Sequence, residues 1–242
     1  MRKIVETYFF KMFSAILCIF VIGLTINQAR ENSHQASSNF QKKSRDSDEK
    51  VTQEKDGTIG NEKYIQQIYT YLHDEYGLSA SSIAGILGNW IQESGIDPIA
   101  VQGDWSYRSL ENTKKNTVGD KDIGFAQWSA KRRQQLITFA NQKYHGEWWL
   151  AQCQLEFMTH QDGSFVEVLK QYALVNNKDV VQNAVIFNNE WEVSPDKKEI
   201  IEKTRGKNAQ LVYRYMQKNN MNGTVDVSKV QKLVYVGDTL PY

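Results

Sequence analysis

From residue 61 onward the hydrophobic positions recur at three- and four-residue spacing, which predicts helices laid against a common core. Glu62 to Tyr76 places Tyr64, Ile65, Ile68, Tyr69, Tyr71 and Leu72 on one face and ends at Gly77. The next stripe is Ile83, Ile86, Leu87, Trp90 and Ile91, with Ser79, Ser81 and Ser82 as candidate N-caps and Gly95 before Asp97-Pro98 as the stop. Val101 to Asp122 has no clear period and several turn residues, so it reads as a loop or small hairpin forming one wall of a cleft. Helical patterns follow at Lys131 to Tyr144, Trp148 to His160, Ser164 to Leu174, Asp179 to Glu192 and Pro195 to Asn219, the last with Ser194 as N-cap and Pro195 in the first turn. Val225 to Val236 alternates weakly, as a strand or extended tail would. The sum is a mainly α domain.

The front of the chain follows a different pattern. Arg2, Lys3 and Lys11 precede an apolar run from Met12 to Ile26, so residues 1–29 read as a signal peptide or a membrane anchor. The run is short for a spanning helix, yet Asn27-Gln28-Ala29 is a poor cleavage boundary, and the reading leans to an uncleaved anchor. Residues 30–60 are polar, with Phe40 almost their only large apolar side chain, which makes them a disordered linker. A domain over 61–222 and a C-terminal tail over 223–242 complete the plan.

Composition narrows the function. The net charge is +1, so no nucleic-acid footprint is expected. The four histidines and two cysteines show no metal-ligand spacing, and neither a metal nor another cofactor is expected. Cys153 reads as a small core residue; export without disulfides fits a bacterial envelope.

One carboxyl stands out. Glu93 follows Ile86 by seven residues and Trp90 by three, so it projects from the apolar stripe of its helix, in the last turn. Apolar neighbours and the negative end of the helix dipole both oppose ionisation there, and a carboxyl that keeps its proton can protonate the leaving oxygen of a glycosidic bond. Asp122-Ile-Gly-Phe-Ala-Gln-Trp128 adds a hinge, Gly124, that admits close backbone approach, and an amide, Gln127, able to meet a sugar's N-acetyl group. A second carboxylate, if one is needed, comes from Asp104, Asp120 or Asp122, with Asp120 and Asp122 favoured.

Gly88-Asn89, Glu93-Ser94-Gly95, Asp97-Pro98 and Ile123 to Trp128, followed by Trp148, Trp149, Gln154-Leu155-Glu156-Phe157, Phe187, Trp191-Glu192, Arg205 and Ala209, together resemble the phage tail lysozyme family of the lysozyme-like superfamily. The resemblance spans roughly Asn61 to Asn219. It implies a lysozyme-like α+β fold and a glycosidase acting on peptidoglycan glycan strands, with Glu93 as its firm landmark and general acid; it does not settle the choice of Asp120 or Asp122, and the residues read as lining the saccharide site are Ser94, Phe125, Gln127 and Trp128. It also implies an extracytoplasmic setting beside a phage tail or a conjugation apparatus, reached from the membrane through the N-terminal segment. Lytic transglycosylation needs only the one acid. A non-catalytic wall-binding or scaffold module is the remaining alternative. Glu192 and Arg205 read as a structural pair.

Overall fold

The computed structural model describes residues 59, 61–175 and 177–237. The proposed N-terminal signal or anchor and nearly all of the linker lie outside the described residues. Among those described, no helix is long and apolar enough to cross a membrane.

Helix α1 (Glu62–Tyr69) runs into a π-helical turn, Thr70–Glu75, and stops at Gly77, whose φ of 70° is the left-handed value its position requires. Helix α2 (Ala80–Ser94) is capped by Ser79, whose hydroxyl accepts from the Ser82 amide at 3.1 Å, and closed by Gly95 at φ 69°. Then come α3 (Leu110–Lys115), α4 (Ala130–Lys143), α5 (Ala151–Glu156), α6 (Phe165–Leu174), α7 (Val180–Phe187), α8 (Lys198–Ile201), α9 (Lys207–Lys218) and α10 (Val227–Val230). Three further π-helical turns, Phe157–Gln161, Asn188–Glu192 and Glu202–Gly206, interrupt what the periodicity shows as continuous helices.

The core is assembled around α2. Every residue from Ala80 to Trp90 is buried, because this stretch carries no charge and presents small or apolar groups on all sides. Its main partners are α7, α9 and the turn Glu202–Gly206. Two glycines permit the approach. A Cβ on Gly85 would fall 2.4 Å from the Tyr172 hydroxyl, and one on Gly88 would fall 2.5 Å from the Arg205 carbonyl and 2.7 Å from the Ala209 amide nitrogen. The late helices therefore rest on the backbone of α2.

The structure departs from expectation at three places. The segment expected as a loop or hairpin contains α3, capped by Ser109, and its pairing is reduced to isolated antiparallel bridges joining Val101 to Ile123 and Ile123 to Trp128; no strand occurs among the described residues. Ser194-Pro195 does not start a helix: the backbone stays irregular through Lys197, and Asp196 lies 3.5 Å from Arg205. From Gly223 to residue 237, the last one described, the chain forms neither a strand nor a loose tail. The Gly223 carbonyl accepts from the Ala80 amide at 2.8 Å, Asp226 caps α10, and Val230 and Leu233 are fully buried.

Candidate active site

The site forms where α2 ends. Behind it, Trp90 stacks on Phe125 with ring centroids 5.2 Å apart, and the Ser94 hydroxyl donates to the Phe125 carbonyl at 2.8 Å. The turn from Ile123 to Trp128 is thereby fixed to the last turn of the helix. Gln154 braces it from the other side, its Oε1 accepting from the Phe125 amide at 2.8 Å and its amide donating to the Pro98 carbonyl at 2.7 Å. Gly124 is required here, because a Cβ would come 2.5 Å from Gln154 Oε1. Gln127 holds a left-handed backbone at φ 47°.

Glu93 projects from this frame with its side chain 24 % exposed, and its Oε1 is 2.7 Å from Nη1 of Arg205, whose side chain is only 7 % exposed. The purely apolar setting expected for Glu93 is therefore corrected to a partly open carboxyl in an ion pair. Arg205 also contacts Asp196, and its Nη1 is 3.4 Å from the Asn89 carbonyl, while its Nε is buried without a hydrogen-bond partner among the described residues. The expected Glu192–Arg205 pair is likewise corrected: the carboxylate in contact with Arg205 across the helices is Glu93. Glu192 accepts from Trp90 Nε1 at 3.2 Å.

Two other carboxyls feel the charge of Glu93. Burial, then repulsion by Glu93, pushes Asp122 up to about 7, with Arg133 opposing and Asp120 adding to the rise. Burial, then Glu93, pushes Glu192 up to about 8, against the pull of Arg132, Arg205 and the Trp90 N–H. The sequence already showed Asp122 as a candidate and Glu192 only as a structural partner of Arg205; that Glu192 feels Glu93 was hidden because the two lie on elements remote along the chain.

The remaining expected residues separate clearly. Asp120 is exposed on the approach to the turn, and Asp122 is half-buried beside Glu93. Asp104 is enclosed, its carboxyl engaged by Arg108 at 2.9 Å and by the Val101 amide at 3.1 Å. Ser94, Phe125 and Trp128 are buried, so their side chains pack behind the turn and do not face solvent as the expectation had them. Gln127 is half-buried, and its amide donates to the Gly124 carbonyl at 3.1 Å. Trp148 is fully buried and donates to Thr117 at 3.1 Å, which makes it a packing residue. Cys153 is buried and free, its thiol pushed up to about 12 by burial.

Among the described residues no group of three or more His, Cys, Asp and Glu is arranged to hold a metal ion. What the geometry offers is proton chemistry: Glu93 held by Arg205, with Asp122 and Glu192 within reach of its charge and differing from it in readiness to hold a proton. Comparison with curated proteins and with solved structures finds no match to the chain. The pattern of one family, phage tail lysozyme, matches residues 63–216, which include α2, the Ile123 to Trp128 turn and Arg205. The chain belongs to the phage tail lysozyme family, whose lysozyme-like activity is the lysis of peptidoglycan.

Proposed function

We propose that the protein is a peptidoglycan glycosidase in which Glu93 is the general acid and Asp122 the partner carboxyl. The observation that carries the reading is the placement of Glu93: a carboxyl on the last turn of a rigid buried helix, partly open to solvent, oriented by Arg205 and flanked by Asp122. Protonating the glycosidic oxygen requires a positioned acid, and removing a proton from water requires a base matched to the working pH. Asp122, pushed to about 7, suits the second task better than exposed Asp120. Gln127, on its left-handed turn, is the polar group offered to the N-acetyl side of the sugar. Action lies outside the cytoplasmic membrane, with residues 1–29 as export signal or anchor and residues 30–60 as tether, beside a phage-tail or conjugation apparatus that must pass the wall.

Zymography on purified cell wall with wild type and Glu93→Gln tests the assignment. Clearing by wild type and a loss of about 10²-fold or more in the variant is expected. Equal clearing would remove Glu93 from its role, and wall binding without clearing by either would leave a scaffold module. Mass spectrometry of the released muropeptides should find reducing ends, the product of attack by water; anhydro-sugars would replace hydrolysis by intramolecular transglycosylation and free Asp122 of its task.

A further inference from the structure

Trp90, Trp128, Trp148 and Trp191 are fully buried, whereas Trp105 is 60 % exposed and Tyr107, two positions on, is exposed as well. A single exposed apolar side chain is ordinary. What sets Trp105 apart is that it is held still. Arg108 lies over one face of the indole, its Cζ 4.8 Å from the ring centroid. That guanidinium is itself fastened: Nη1 donates to the Ser94 carbonyl at 2.6 Å and lies 3.2 Å from Asp97, while Nε donates to the enclosed Asp104 at 2.9 Å. The backbone turn is closed by the Asp104 amide on the Val101 carbonyl at 3.0 Å and the Tyr107 amide on the Asp104 carbonyl at 2.9 Å. The edge of the indole reaches the end of α2, where a Cβ on Gly95 would fall 3.3 Å from its Cζ3. Trp105 is thus seated beside Gly95, two residues after Glu93, on an arginine bound to Ser94, the residue next to Glu93. With the guanidinium on one face and most of the residue exposed, the other face is left to solvent.

Ordering a large side chain costs conformational entropy that burial normally offsets, and at Trp105 no such burial offsets it in the free chain. A pyranose ring supplies the cover that fits. One side of it presents C–H groups that meet the negative face of the indole, while its hydroxyls stay in water at the rim. The residues beside the indole, Arg108 and Gly95, are charged and small, which suits a narrow hydrated chain of sugars better than a broad dry protein interface. We propose that Trp105 is a sugar-stacking residue, its open face receiving a pyranose of the peptidoglycan strand on the Gly95 side of the bond that Glu93 cleaves, with Arg108 as the positioning residue beneath it. The inference rests on the reading of Glu93 as the acting carboxyl. A sugar stacked away from the reacting bond is held equally in the ground and transition states, so Trp105 acts on KM and leaves kcat alone.

Peptide-free glycan strands from purified cell wall are the probe, and the full chain carrying Glu93→Gln is the host that binds them with little turnover. Acrylamide quenching of indole fluorescence reports chiefly Trp105, the one exposed tryptophan among the described residues. Strands should reduce the quenching in this host and leave what quenching remains unchanged once Trp105→Ala is added, with affinity lowered about tenfold. Trp105→Tyr, which keeps a flat face, should recover most of the affinity, and Trp105→Leu, which keeps apolar bulk alone, should not. The comparison of Tyr with Leu holds even where alanine loosens the loop. With Glu93 restored, Trp105→Ala should raise the KM of clearing about tenfold and keep kcat within about twofold. Strands that leave Trp105 as open to quenching as before, or that bind Trp105→Leu as tightly as Trp105→Tyr, overturn the proposal. Clearing by Trp105→Ala at an unchanged KM overturns it as well and leaves Glu93 in its role. Shielding of Trp105 by the strands without clearing by any protein would remove the enzyme reading and still support the sugar site.

Discussion

Two arginine–carboxylate pairs sit near each other in the core, and they are built to different ends. Arg132 and Asp162 are closed: the carboxyl is fully enclosed, two nitrogens bind its two oxygens, a third donates to the Trp191 carbonyl at 3.1 Å, and the guanidinium lies between the rings of Phe165 and Trp191 at 3.9 and 4.0 Å. Arg205 and Glu93 are open: one nitrogen touches one oxygen, the carboxyl is partly exposed, and the guanidinium divides itself between Glu93 and Asp196. In the closed pair burial pushes the Asp162 carboxyl up, but the two bonds from Arg132 and one from Trp128 oppose protonation, and no substrate reaches it. An unsaturated pair can exchange a proton with a substrate and keep its place. The difference separates a support of the fold from a site of chemistry, although both have the same composition.

The comparison breaks most severely at Arg132→Met. It leaves Asp162 buried without its cation, and a loss of about 3–5 kcal/mol in unfolding free energy is expected by chemical denaturation, with clearing lost alongside the fold. Gly88→Ala acts on the open pair through its backbone. The new Cβ meets the Arg205 carbonyl and the Ala209 nitrogen, neither of which can swing aside, so about 1–3 kcal/mol of destabilisation should appear together with weakened clearing as the Arg205 turn is pushed off α2. Glu93→Gln should lower stability by no more than about 1 kcal/mol, because the amide keeps the shape and solvent reaches the site, yet it should reduce clearing by about 10²-fold or more. A thermal melt beside a clearing assay checks both quantities. A large loss of stability in Glu93→Gln would mean that the open pair is a support like the closed one.

The helical plan was legible because burial on one face imposes a spacing that survives in the residue order. Ser79, Gly77 and Gly95 marked true boundaries, and Glu93 was found from its place on the stripe of Ile86 and Trp90. The surroundings of Glu93 were not legible. Arg205 lies more than a hundred positions away, and nothing local to it says which of several carboxylates it faces. The π-helical turns were hidden for a related reason: they shift the register by one residue where a neighbouring element packs, and the apolar spacing tolerates that shift. Val225 to Val236 misled because its weak alternation reflects a core patch at Val230 and Leu233 and no ladder partner.

Asp122, whose carboxyl feels the charge of Glu93, sharpens the comparison at its finest scale. Its carboxyl is raised to about 7 from the ordinary value of 3.8, so between these two pH values the folded chain binds more of this proton than the unfolded chain does. The contribution of Asp122 to stability is therefore whole below the lower value and is lost as the pH rises through the upper one. Asp122→Asn should flatten that part of the stability curve, by about 1 kcal/mol or less once solvent screening at a half-buried group is allowed for. Urea melts at several pH values across the window read it directly. If Glu93 is the charge that lifts Asp122 once burial has acted, Glu93→Gln should displace the same slope to lower pH. A slope left in place by that substitution would assign the rise to burial alone and detach Asp122 from the open pair.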